Sequence, residues 1–237
     1  TSSGNTFLNV AMHLFVLAKT VARRCGMDMS LAVDHVMANW RIIALGDDVF
    51  IILQGPLRAL REEKLPIVAL FKQLGLTVKL HVTILPHEVG FCSGYFVPVR
   101  VNGVNTHILA PKPGRLIYKM GFSDFGTRVV DPAAHMRGVA LGLVRANAWH
   151  PILAPLLKRI IDITHKVTPL VLNPHQHAIF RTGDNRVEAT PQSFEHLERR
   201  YGWSSQPSWE KLVSSITQFP CVTTSQLLND VFIADLE

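Results

Sequence analysis

Apolar residues crowd nearly every side of the segment from Phe7 to Ala22, and polar ones gather at its ends. Arg23 and Arg24 fall in its last turn and Gly26 lies beyond, so the pattern predicts a buried helix over residues 5–25. A second amphipathic stretch, about Ser30 to Trp40, leads into two short runs of β-favouring residues, Ile42 to Leu45 and Val49 to Leu53. Gly46-Asp47-Asp48 separates them, which predicts a tight hairpin with two carboxylates at its tip. Strands this apolar are expected to be buried on both faces.

Beyond the hairpin, Gln54-Gly55-Pro56 marks a turn, and Leu57 to Leu74 places apolar residues at helical spacing up to Gly75. Leu76 to Leu85 alternates as a strand does, with Thr77, Lys79 and His81 on one face. Asn102-Gly103 sits between two further alternating runs, 91–101 and 104–109, and predicts a two-residue hairpin. Pro111 to Arg115 reads as a loop. Helices are expected at about 132–146, 151–166, 191–200, 208–217 and 225–236, with Val167 to Ala189 as the longest irregular piece and a candidate mobile loop. The chain is therefore expected to be α+β, with sheet and helices over 1–110 and a mainly helical part over 111–237.

Composition adds a core and a partner. With 48% apolar residues and a mean hydropathy of +0.20, the chain can bury a sizeable interior. No apolar run approaches the ~18 residues of a membrane span, and Thr1-Ser2-Ser3-Gly4-Asn5 forms no signal peptide. The missing initiator Met is what a piece of a longer polypeptide, or a trimmed chain, is expected to show. Cys25, Cys92 and Cys221 are odd in number and far apart, as expected of reduced thiols. His175 and His177 lack a second ligand pair for zinc. Net charge is +6, and between His107 and Lys166 nine basic residues face three acids. That imbalance suits a polyanion, or a merely solvated basic face.

The two adjacent acids at the hairpin tip need a neutralising partner if the hairpin is buried, and a divalent metal is the simplest one. A Gly-Asp-Asp turn between apolar strands resembles motif C of viral RNA-dependent RNA polymerases. Upstream, Thr1 and Asn5 stand four apart at a helix start, which resembles the second half of motif B. That likeness makes Asn5 the residue reading the ribose 2′-hydroxyl, with Thr1 beside it; a plain helix cap is the alternative. Helix and strand after the hairpin resemble motif D, making Lys79 the acid that protonates pyrophosphate, with Lys72 as a substitute and a solvent-facing lysine as the bland reading. Phe91-Cys92-Ser93-Gly94 before a hairpin resembles motif E, the primer grip. Lys112, Arg115 and Lys119 open the basic region, which resembles the start of the thumb in nodavirus-like and tombusvirus-like plus-strand viruses and is expected to hold RNA phosphates.

The resemblance implies a partial right-hand palm over 1–110 and a thumb over 111–237. It implies template-directed addition of ribonucleotides to an RNA 3′ end, with two Mg²⁺ or Mn²⁺ ions held mainly by Asp47 and secondarily by Asp48. Template and product RNA, nucleoside triphosphates and an upstream fingers and palm portion of the same replicase would be the partners. Localisation would be the host cytoplasm, at membrane-bound replication complexes through other regions. A further metal-binding Asp, that of motif A, would lie upstream, so this chain alone is expected to be inactive. A reverse transcriptase is the nearest rival, but Leu45 stands where such enzymes carry an aromatic residue. A non-catalytic basic RNA-binding domain is the other.

Overall fold

The computed structural model describes residues 3–120, 131–170, 186–202, 206–218 and 225–236. Its class is α+β, with small antiparallel sheets among many helices. The chain divides into two compact units, Thr1–Cys92 and Ser93–Glu237. The hairpin following Cys92, counted with 1–110 from the sequence, thus belongs to the second unit. No helix among the described residues is long and apolar enough to cross a membrane.

In the first unit, helix α1 (Ser3–Cys25) packs on α2 (Met29–Asn39), whose start is capped by the Asp28 carboxylate accepting from the Ser30 N–H at 2.7 Å. Helix α2 runs straight into β1 (Trp40–Leu45), which pairs with β2 (Asp48–Leu53) in a register from Trp40↔Leu53 to Leu45↔Asp48. Alternation then sorts the side chains. Trp40, Ile42, Ile51 and Leu53 join Val16, Leu17, Val21 and Val36 in the core. On the opposite face Ile43, Leu45 and Ile52 are about half exposed. The hairpin is therefore buried on one face only, contrary to the expectation from its composition.

The expected helix over 57–74 is two elements, a 3-10 helix (Gly55–Glu63) and α3 (Lys64–Gln73). Pro66 explains the break: a proline is tolerated in the first turn of an α-helix and not within one, so α3 begins just before it. Leu76 to Leu85 is not a strand. Leu76, Val78 and Leu80 do turn inward against the core while Lys79 faces out, but this stretch has no ladder partner among the described residues. Alternating burial alone produced the periodicity. The two-residue strand β3 (Gly90–Phe91) then lies beside β2.

In the second unit β4 (Gly94–Val101) pairs antiparallel with β5 (Val104–Pro111) and with β6 (Val187–Ala189). Asn102 and Gly103, at φ of 51° and 84°, form the expected two-residue turn with both residues left-handed. Tyr95, Val97 and Val99 project alternately from β4 into a core shared with helices α4 (Pro113–Met120), α5 (Pro132–Val144), α6 (Leu153–Ile163), α7 (Pro191–Tyr201), α8 (Gln206–Ser215) and α9 (Gln226–Leu236). The expected loop at 111–115 is instead the end of β5 and the start of α4, with Pro113 in the first helical position. Strand β6 sits inside the stretch expected to be irregular. Most of that stretch, with His175 and His177, lies outside the described residues, as do Thr1 and Cys221.

Two buried polar groups tie these helices down. The Asp235 carboxylate, 2% exposed, accepts from the Gly114 N–H at 2.8 Å and from the Tyr201 hydroxyl at 3.0 Å, and pairs with Arg200 at 3.4 Å. His150 is fully buried; its Nδ1 accepts from the N–H groups of Ile152 and Leu153 at the start of α6, and Nε2 meets the Tyr95 hydroxyl at 3.2 Å.

Candidate functional site

The hairpin turn is where the first unit gathers chemistry. Leu45 and Asp48 are the last paired residues, leaving Gly46 and Asp47 as a two-residue loop in which only Gly46 has positive φ, at 62°. That is the pattern of a type II′ turn, whose first central position favours glycine. Asp47 thus sits on the loop and Asp48 on the strand, and both are exposed. Adjacent carboxylates with hard oxygen donors match in kind what Mg²⁺ or Mn²⁺ binds, since Mg²⁺ needs only one or two carboxylates beside water and substrate phosphates. Among the described residues no group of three or more His, Cys, Asp or Glu side chains is placed to hold a metal.

Gly46 itself is buried, and helix α1 holds it from both sides. The Thr6 hydroxyl accepts from the Gly46 N–H at 2.9 Å, and the Asn9 amide donates to the Gly46 carbonyl. Thr6 and Asn9 stand three apart and so share one helix face. Behind them, His13 Nδ1 donates to the Asn9 carbonyl at 2.7 Å, and its ring lies 4.8 Å from that of Phe71 in the core. Burial holds the His13 imidazole below its usual range, against the raising effect of the Asn9 bond. Sequence reasoning selected Asn5 and missed Thr6 and Asn9. Asn5 lies in the first turn of α1 and is exposed. The available signal was a pair of polar side chains at helical spacing on an otherwise apolar segment.

Cys92 approaches the turn from the far end of the unit. Burial first, then the Asp48 charge, a thiol hydrogen bond to Asp48 and the Asp47 charge push its pKa up. Cys92 and Ser93 both have positive φ, 49° and 60°, a costly conformation of ~1–2 kcal/mol for each side-chain-bearing residue. Gly94 follows, where a Cβ would meet the Ala110 carbonyl oxygen at 2.6 Å. Lys79 is exposed on the extended stretch after α3, and Lys72 is exposed near the end of α3. Neither hydrogen bond nor ion pair joins Lys79 to Asp47 or Asp48 among the described residues.

In the second unit Arg115 and Lys119 are exposed on one face of α4, four residues apart, with half-exposed Tyr118 beside them. Lys112, just before the helix, is partly buried; burial and the Arg200 charge lower its pKa, partly offset by Asp235. Of the other basic residues in this region, Arg137 donates to the Ile161 carbonyl and Arg159 to the Ile216 carbonyl, both at 2.8 Å. These two arginines join helices, and the exposed residues of α4 are better placed for a ligand. Compared with protein-family models and with curated proteins, the chain has no match.

Proposed function

We propose that this chain is part of a viral RNA-dependent RNA polymerase of the plus-strand, nodavirus-like or tombusvirus-like kind, residues 1–110 being palm and 111–237 thumb. The observation that carries the reading is the Gly46-Asp47-Asp48 turn: a tight apolar hairpin that ends in two exposed carboxylates and is gripped by the first helix. Asp47 would be the principal ligand and Asp48 an auxiliary one for two Mg²⁺ or Mn²⁺ ions. When bound, these ions supply charge neutralisation for the attacking 3′-hydroxyl and the leaving pyrophosphate.

The chain's own residues contribute around that centre. Lys79, exposed on the extended stretch after α3, would donate a proton to the pyrophosphate leaving group, a role worth roughly 100-fold or more in rate. Asn5, exposed in the first turns of α1, would read the incoming ribose, with Thr1 before it. Cys92, Ser93 and Gly94 would form the primer grip, and Lys112, Arg115 and Lys119 would hold RNA phosphates. Nucleoside triphosphates, template and product RNA are the ligands, and an upstream palm and fingers portion supplies the remaining carboxylate. Asp47→Asn in the parent protein should abolish template-directed ribonucleotide incorporation. Undiminished synthesis by that variant would overturn the reading and leave a basic RNA-binding domain whose Gly-Asp-Asp is a plain turn.

A further inference from the structure

We infer that Thr6 and Asn9 are positioning residues that fix the carboxylate turn through the backbone of Gly46, an inference that rests on the polymerase reading of the same turn. A two-residue loop has few backbone contacts of its own, and Gly46 is the member with the most conformational freedom. Its N–H and its carbonyl point in different directions, so one partner would leave it able to rotate about the other. Thr6 takes the N–H and Asn9 the carbonyl, and the residue is held at φ 62°. Both partners belong to a helix whose middle, Val16 to Ala18, is part of the unit's core, and His13 links the Asn9 backbone to the Phe71 ring. Asp47, the next residue, inherits that fixed backbone, and its carboxylate keeps only side-chain freedom. A site held this way loses less entropy when a cation draws its carboxylates together.

The pair can be removed without touching the core, because Thr6 and Asn9 are only partly buried. In the full parent protein, Thr6→Val keeps the shape and deletes the acceptor, Asn9→Leu deletes the donor, and Thr6→Ser keeps the hydroxyl. Titration with MnCl₂, followed by the electron paramagnetic resonance of free Mn²⁺, should show at least a ten-fold weaker binding constant for Thr6→Val and Asn9→Leu and the wild-type value for Thr6→Ser. Amide hydrogen exchange should accelerate at Gly46 by at least ten-fold in Thr6→Val while protection across residues 14–21 of α1 is retained. Wild-type Mn²⁺ affinity in both deletion variants, or weaker binding accompanied by lost protection throughout α1, would overturn the positioning role. Asp47→Asn measured alongside separates the two ideas. If Asp47→Asn is inactive and the deletion variants bind Mn²⁺ normally, only this inference fails, whereas an active Asp47→Asn removes the polymerase reading beneath it.

Discussion

His150 offers a test of the second unit in which direction, size and pH range all follow from geometry. Its Nδ1 accepts two backbone N–H groups at 3.1 and 3.3 Å, so that atom carries no proton and the ring hydrogen resides on Nε2, donated to the Tyr95 hydroxyl. Complete burial drives the imidazole from 6.5 down to about 3. His150→Leu leaves the N–H groups of Ile152 and Leu153 and the Tyr95 hydroxyl without this partner. At roughly 1–3 kcal/mol for each buried unsatisfied group, with some relaxation, the cost should be about 3–5 kcal/mol. His150→Asn preserves a capping acceptor for α6 but is too short for Tyr95, and should cost about 1–2 kcal/mol near neutrality.

The sign of the pH dependence is then fixed. A histidine whose folded pKa is depressed binds fewer protons folded than unfolded, so its contribution is complete above pH 6.5 and is lost as pH falls towards 3. The limiting slope is about 1.4 kcal/mol per pH unit. Asp235 acts in the other direction. Its carboxyl is raised by burial, against the Gly114, Arg200 and Tyr201 interactions that lower it, so its contribution declines as pH rises above the ordinary aspartate range. Comparing wild type with His150→Asn at each pH cancels that term. Urea unfolding of the 237-residue chain, read by hydrogen exchange on α6, should show the wild type ahead at pH 7 and the two curves crossing at roughly pH 5 to 6. A difference independent of pH would refute the reasoning.

Two further outcomes are expected. Gly114→Ala gains ~1 kcal/mol of helix propensity but puts a Cβ 2.4 Å from the Val231 carbonyl oxygen, and moving α9 away breaks the Gly114 bond to Asp235, so urea unfolding should show a net loss of about 1–3 kcal/mol. A variant more stable than wild type would show that α4 and α9 are not in close contact. Replacing Lys112, Arg115 and Lys119 together by Gln should flatten the dependence of log Kd on log salt for an RNA oligomer by about 2–3 units, as measured by fluorescence anisotropy, and parallel lines would remove these three residues from the proposed RNA-binding set.

The sequence carried those elements whose signals are local. Helix α1, the hairpin from Trp40 to Leu53 and the Asn102-Gly103 turn are each set by neighbouring residues, and their predicted and observed positions agree to within a few residues. Where tertiary partners decide, the pattern misled. Leu76 to Leu85 alternates because one side is buried, yet a strand also needs a neighbouring backbone. Ile43, Leu45 and Ile52 are as apolar as the buried side chains opposite them, so composition alone gave no sign that their face is open. Strand β6 is three residues long and exists through its pairing with Val99 to Val101, some ninety residues earlier. For the site, the acids were visible as a motif, but the hold on Gly46 was not, since it joins residues about forty positions apart.

That hold also bears on why the unit places two unlike devices around one short turn. On the α1 side the contacts are ordinary hydrogen bonds to a glycine, made by side chains on a helix rooted in the core. On the Asp48 side the contact comes from Cys92, the first of two consecutive residues in the left-handed region, where side chains are disfavoured. A turn serving only to reverse the chain needs neither, because the β1–β2 ladder and the type II′ geometry already close it. On the proposed reading, the Thr6 and Asn9 bonds to Gly46 set where Asp47 stands relative to the core. Both acids remain exposed at the end of that scaffold, as the proposed cation site requires.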